Sequence, residues 1–104
     1  MPYEVAPPAQ REIEAILAYR AEVAGWDSAR RLRDEFLHLF QLIGCGHRLG
    51  MPKPEWAPAK YRFFPKHGYW VVWREGTVNP TQCVIVMVVD ARRDVARILH
   101  GFDR

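Results

Sequence analysis

The sequence predicts an α+β fold in one domain: a short strand, an α-helical hairpin, a three-stranded antiparallel sheet and a short C-terminal helix. Three observations carry this reading. Apolar residues recur at helical spacing in two stretches divided by Gly25. Residues 69–73 (YWVVW) and 83–89 (CVIVMVV) are nearly continuous apolar runs of strand length. Between these halves, residues 44–59 hold Gly44, Gly46, Gly50, Pro52, Pro54 and Pro58, which opposes regular structure and marks a long loop. The chain has 104 residues, 49% of them apolar, so residues 1–104 suit a single domain that builds a core without disulfides.

Taken in order, Tyr3, Glu4 and Val5 allow only a short strand. Pro7 and Pro8 fit a first helical turn, where a missing N–H costs nothing. Ile13, Ile16, Leu17 and Val23 keep to one face of the first helix, Glu12 and Glu14 lie near its positive end, and Gly25 stops it. Asp27 or Ser28 is the expected cap of the second helix. There Leu32, Phe36, Leu39, Phe40 and Ile43 form the buried stripe, and Gly44 ends it. The short break implies that the two helices fold back on each other. Strands then follow over residues 60–64, 69–74 and 83–89, joined by a turn at residues 65–68 and a longer one through Gly76 and Asn79-Pro80. Val95, Ile98, Leu99 and Phe102 return to helical spacing.

Charge is divided along the chain. Residues 1–59 hold seven Lys or Arg against eight Asp or Glu, whereas residues 60–104 hold eight against four. The sheet half is therefore basic, as suits a nucleic acid or an acidic protein surface. Cys45 and Cys83 form no spaced framework, and Cys45 with His47 leaves a zinc site short of ligands, so no metal or cofactor is expected. Without a signal-like or spanning apolar segment the chain reads as cytoplasmic, with no membrane partner.

The apolar runs raise a covering problem. Side chains of seven consecutive apolar residues reach both faces of a sheet, and two helices blanket only one. The other face is expected to be open to a partner, with burial of each large side chain worth about 1.5–3 kcal/mol; the alternative is that the terminal helix and the long loop fold over it.

The order of these pieces resembles the RelE/ParE toxin superfamily. Residues 3–19 (YEVAPPAQREIEAILAY) look like its opening strand and first helix, residues 27–44 (DSARRLRDEFLHLFQLIG) like its second helix ending in Ile-Gly, residues 60–74 (KYRFFPKHGYWVVWR) like its central strands, and residues 84–99 (VIVMVVDARRDVARIL) like its last strand and Arg-Asp pair. The resemblance implies a bacterial toxin held by a cognate antitoxin, with a higher-order toxin–antitoxin oligomer possible in the complex. The closer likeness is to ParE-like members, which act on DNA gyrase without cutting RNA. The alternatives are a RelE-like ribosome-dependent endonuclease acting on mRNA, and an inert member that only binds its antitoxin. Met87 and Asp90 depart from the usual ParE-like pattern, where arginine and histidine are common.

The resemblance implies target contacts at Arg62, Lys66, Arg92, Arg93 and Asp94, and antitoxin contacts at Trp70, Val72, Val84, Val86, Val88, Ile98 and Phe102. RNA cleavage would need a base, a cation and an acid converging on one phosphate. Lys60, Arg62, Arg92 and His100 are the catalytic candidates for that reading, with His67 and Tyr69 as further proton carriers. Arg93-Asp94 also reads as a local pair at a helix start. Arg62 and Arg93 are both read as surface residues whose truncation leaves folding largely intact. Trp70 and Trp73 fall on opposite faces of their strand.

Overall fold

The computed structural model describes residues 3–76 and 82–99. Five strands and three helices follow in the order β1 (Tyr3–Val5), α1 (Pro7–Ala24), α2 (Trp26–Gly44), β2 (Met51–Pro52), β3 (Arg62–Lys66), β4 (Tyr69–Glu75), β5 (Cys83–Asp90) and α3 (Val95–Ile98). The strands form one mixed sheet ordered β1-β5-β4-β3-β2. β1 joins β5 in parallel, whereas β2, β3, β4 and β5 pair antiparallel in sequence. The predicted α+β order is present, with the two-residue β2 added inside the expected loop. Asn79, Pro80, His100 and Phe102 lie outside the described residues.

The helices follow from their sequence with two corrections. Pro7 opens α1, as its fixed φ and missing N–H allow. α2 is capped by neither Asp27 nor Ser28: Gly25, at φ 90°, is the cap residue, and Asp27 sits inside the first turn. The stripe Leu32, Phe36, Leu39, Phe40 and Ile43 is buried against the sheet. Val23, expected on the buried face of α1, is exposed.

Gly50 is needed where the loop passes β3. Its φ is +88°, and a Cβ there would meet the Phe63 carbonyl oxygen at 2.6 Å. β3 and β4 are joined by His67 and Gly68, both at positive φ, which gives the hairpin turn whose twist matches the strands. His67 Nε2 lies 2.8 Å from Glu35 Oε2 and fastens this turn to α2.

The expectation of an uncovered sheet face is overturned. On the α1–α2 side the core joins Tyr3, Leu32, Phe36, Phe40, Val71, Trp73, Ile85 and Val88. On the other side Phe63, Val72, Val84, Val86, Met87 and Val89 are also buried, beneath Ala57, Tyr61 and Trp56 of the loop and Val95, Ile98 and Leu99 of the C-terminal turn. The loop is held down by an aromatic knot. Trp56 meets Phe63 and Trp70 edge-on at 5.5 and 5.6 Å between ring centres, and Lys53 Nζ lies 5.3 and 5.2 Å from the Trp56 and Trp70 rings. A segment too rich in proline for helix or strand can still cover a sheet by inserting a few large rings.

A bulge sets the facing of β5. Val72 pairs with Met87 but Trp73 pairs with Ile85, which leaves Val86 as the extra residue. Val86 and Met87 consequently share the loop side, and Val88 turns to the helix side. Strict alternation would have kept Val84, Val86 and Val88 together. Trp70 and Trp73 do face opposite sides.

Candidate functional site

The predicted residues collect at two opposite ends of the sheet. At one end, Arg62 Nη1 donates to the Gly50 carbonyl at 2.8 Å, and Trp73 Nε1 donates to the Leu49 carbonyl at 2.9 Å. Arg48 and Glu75 form an ion pair beside them. Lys60 lines the same shallow recess as Arg62. Arg62 therefore fastens the loop to the sheet and is half-buried, which corrects its reading as a plain surface residue.

At the other end, Arg92 and Asp90 are bonded side by side. Arg92 Nη2 donates to Asp90 Oδ2 at 2.7 Å, Arg92 Nε donates to Oδ1 at 3.1 Å, and the Arg92 backbone N–H donates to Oδ1 at 2.9 Å. These bonds to Arg92 hold the Asp90 carboxyl down at a pKa of about 2. Asp94 accepts from the Arg97 backbone N–H at 3.2 Å and caps α3, so its carboxylate serves the helix start. Arg93 is exposed, and its side chain borders a concavity of about 330 Å³ between α1, the end of β5 and α3.

Glu12, Tyr19, Tyr69, Val88 and Ile98 help to line this concavity. Its position follows from the early end of β1. The last bond along that edge runs from the Ala6 N–H to the Ile85 carbonyl at 2.9 Å, after which the chain turns into α1 and β5 continues without a strand beside it. The Val88 N–H that faces the gap is taken by Glu12 Oε1 at 2.9 Å. Burial pushes the Glu12 carboxyl above its ordinary range, opposed by the bond from Val88 and by Arg93 and Arg11 nearby. The site thus offers an apolar floor, two tyrosines, two half-buried carboxylates, Glu12 and Asp90, and one exposed guanidinium.

The structure brings Arg93, Val88 and Ile98 to one place, whereas Arg92 and Asp94, the chain neighbours of Arg93, do not line it. It does not bring Lys60 and Arg62 there. Arg62 pairs with Trp73 and Asp90 pairs with Tyr69, so the two ends lie about 13 Å apart along the strands. Lys66, half-buried, pairs with Tyr69 at the Arg93 end. Val72, Val84 and Val86 are buried on the loop side and present no open antitoxin surface, while Trp70 is half-buried in the aromatic knot. Glu12 and Tyr19 were not foreseen as site residues. Glu12 is set there by the early end of β1, which no local pattern in the sequence marks.

Among the described residues no group of three His, Cys, Asp or Glu forms a metal site, and no helix is long and apolar enough to cross a membrane.

This α+β topology, with a helical hairpin after a first strand that pairs parallel to the last one, is shared with a solved toxin–antitoxin structure. A chain of the chromosomal ParDE TA system from P. aeruginosa superposes with a TM-score of 0.69 at 12% identity, covering 85% of this chain and 92% of that one. No family model matches the sequence, and no curated protein matches it.

Proposed function

We propose that this protein is the toxin of a bacterial toxin–antitoxin pair and acts by binding a protein target, DNA gyrase, rather than by cutting RNA. The observation that carries this reading is the separation of the cations. Lys60 and Arg62 stand at the far end of the sheet from Arg92 and Arg93, whereas acid–base cleavage needs its groups within about 3 Å of the reacting atoms. Arg62 and Arg92 are moreover engaged with Gly50 and Asp90. What remains at the end of β5 is suited to gripping a surface: Arg93 supplies charge, and Ile16, Tyr19 and Ile98 supply apolar area.

The ParE-like fold and the ParDE neighbour support an antitoxin as the second partner. With both sheet faces closed, that antitoxin would neutralise the toxin by filling the same concavity over Val88 and Ile98 and covering Arg93. Induction in cells followed by recovery of gyrase–DNA cleavage complexes tests the reading. Double-strand breaks and an SOS response are expected, and Arg93→Glu should abolish both. Transcript ends cut at fixed codon positions, without DNA breaks, would instead establish the ribonuclease reading.

A further inference from the structure

The exposed apolar side chains of α2 fall on one stripe. Trp26 and Leu37 are exposed to 71% and 42%, and with Arg30 and Arg33 they recur at intervals of four, three and four, which stacks them along one side of the helix. Beside this stripe Leu17 and Ala18 of α1 and Ala29 of α2 complete a mainly apolar groove of about 460 Å³, larger than the concavity at the end of β5. Its rim carries both signs of charge, Glu14 on α1 and Arg30 and Arg33 on α2. The residues of α1 that line the groove and those that line the β5 concavity lie on roughly opposite sides of that helix.

We propose that a second copy of this chain occupies the groove, in a twofold dimer formed hairpin against hairpin. The charge arrangement selects this occupant. A twofold axis between the hairpins lays α1 of each copy over α2 of the other, so Glu14 of one copy meets Arg30 and Arg33 of the other twice. A rim of one sign would repel its own copy; this one is complementary to itself. Shape agrees with charge, since Trp26 stands out as a knob and Ala18 and Ala29 leave the opposing wall low. Among the described residues the charges are engaged within their own helices: Arg30 with Asp27, Arg33 with Asp34 at 3.2 Å, and Glu14 with Gln10 at 3.2 Å. Those contacts are exposed and weak, so they can be exchanged for contacts across the axis.

Sedimentation equilibrium of the purified chain from about 1 to 100 μM tests the dimer. A monomer–dimer equilibrium is expected, weakened at least about tenfold by Glu14→Arg or by Arg33→Glu alone. The double variant should recover most of the affinity, because each copy then carries the exchanged pair. Trp26→Ser should be monomeric throughout; far-UV circular dichroism verifies its fold, and Leu37→Lys serves as the second probe if it unfolds. A wild-type chain that stays monomeric at the highest concentration overturns the proposal, as does a dimer indifferent to both charge reversals. Groove variants that leave a monomer unchanged but lose a co-expressed antitoxin would assign the groove to that protein instead. The dimer stands or falls without reference to gyrase.

Discussion

The two faces of the sheet are closed in different ways. On one, α2 lays Leu32, Phe36, Leu39, Phe40 and Ile43 across Val71, Trp73 and Ile85, so that a single regular element supplies five anchors at fixed spacing. On the other, an irregular loop and a four-residue helix with its C-terminal cap supply Ala57, Tyr61, Val95 and Leu99, with Trp56 half-buried between Phe63 and Trp70. The helix face is fixed by periodicity and the loop face by a few aromatic contacts, while hydrogen bonds from Arg62 and Trp73 hold the Leu49 and Gly50 carbonyls at the helix-side margin of the sheet. Burial can thus be complete on both sides while the cost of opening each side differs.

Truncation at the centre of the helix face should have the largest effect. Phe40 is 1% exposed and stacks near Phe36 and Tyr3, so Phe40→Ala is expected to cost about 3–5 kcal/mol in urea unfolding. On the loop face Trp56→Ala should cost less, about 2 kcal/mol, because the ring keeps one side in water. Equal losses at the two positions would mean that the loop is as integral to the fold as α2.

The anchoring arginine gives a smaller and more pointed comparison. Arg62→Ala leaves the Gly50 carbonyl without its partner and is expected to cost about 1–2 kcal/mol. Arg93→Ala, which removes an exposed side chain, should stay within about 0.5 kcal/mol in the same urea titration. If the two variants unfold alike, Arg62 does not fasten the loop.

The smallest effects are those of pH. The folded pKa of Glu12 is raised above 4.5, so the folded state takes up this proton first. Its contribution is fully present below pH 4.5 and is lost as pH rises through the folded value. Glu12→Gln keeps an acceptor for the Val88 N–H and should remove that part of the pH dependence. For Asp90 the sign is reversed. Its pKa lies at about 2 instead of 3.8, so the stabilisation is present above 3.8 and is lost as pH falls toward 2. In an NMR titration Arg92→Ala should return Asp90 toward 3.8.

The element order was legible because each signal was local: the period of α2, the proline start of α1, the apolar runs of β4 and β5. The covering of the second face was not. Residues 53–61 carry no repeating pattern, and their role depends on where Trp56 lands against Phe63 and Trp70, a contact between distant parts of the chain. The bulge at Val86 was hidden for a related reason. In an unbroken apolar run no polar residue marks the phase of alternation, so an extra residue leaves no trace in the sequence. Arg93 and Ile98 were picked out by type and position, whereas Glu12 became visible as a site residue only when the early end of β1 exposed the Val88 N–H.

Hydrogen exchange of the isolated chain, with no partner present, tests most directly whether the protein closes both faces of its own sheet. The β5 amides at residues 84–89 are expected to exchange slowly, at rates set by global unfolding, in wild type and more rapidly in Trp56→Ala. Rapid exchange across those residues in the free wild-type chain, slowed only when a partner is added, would contradict the account.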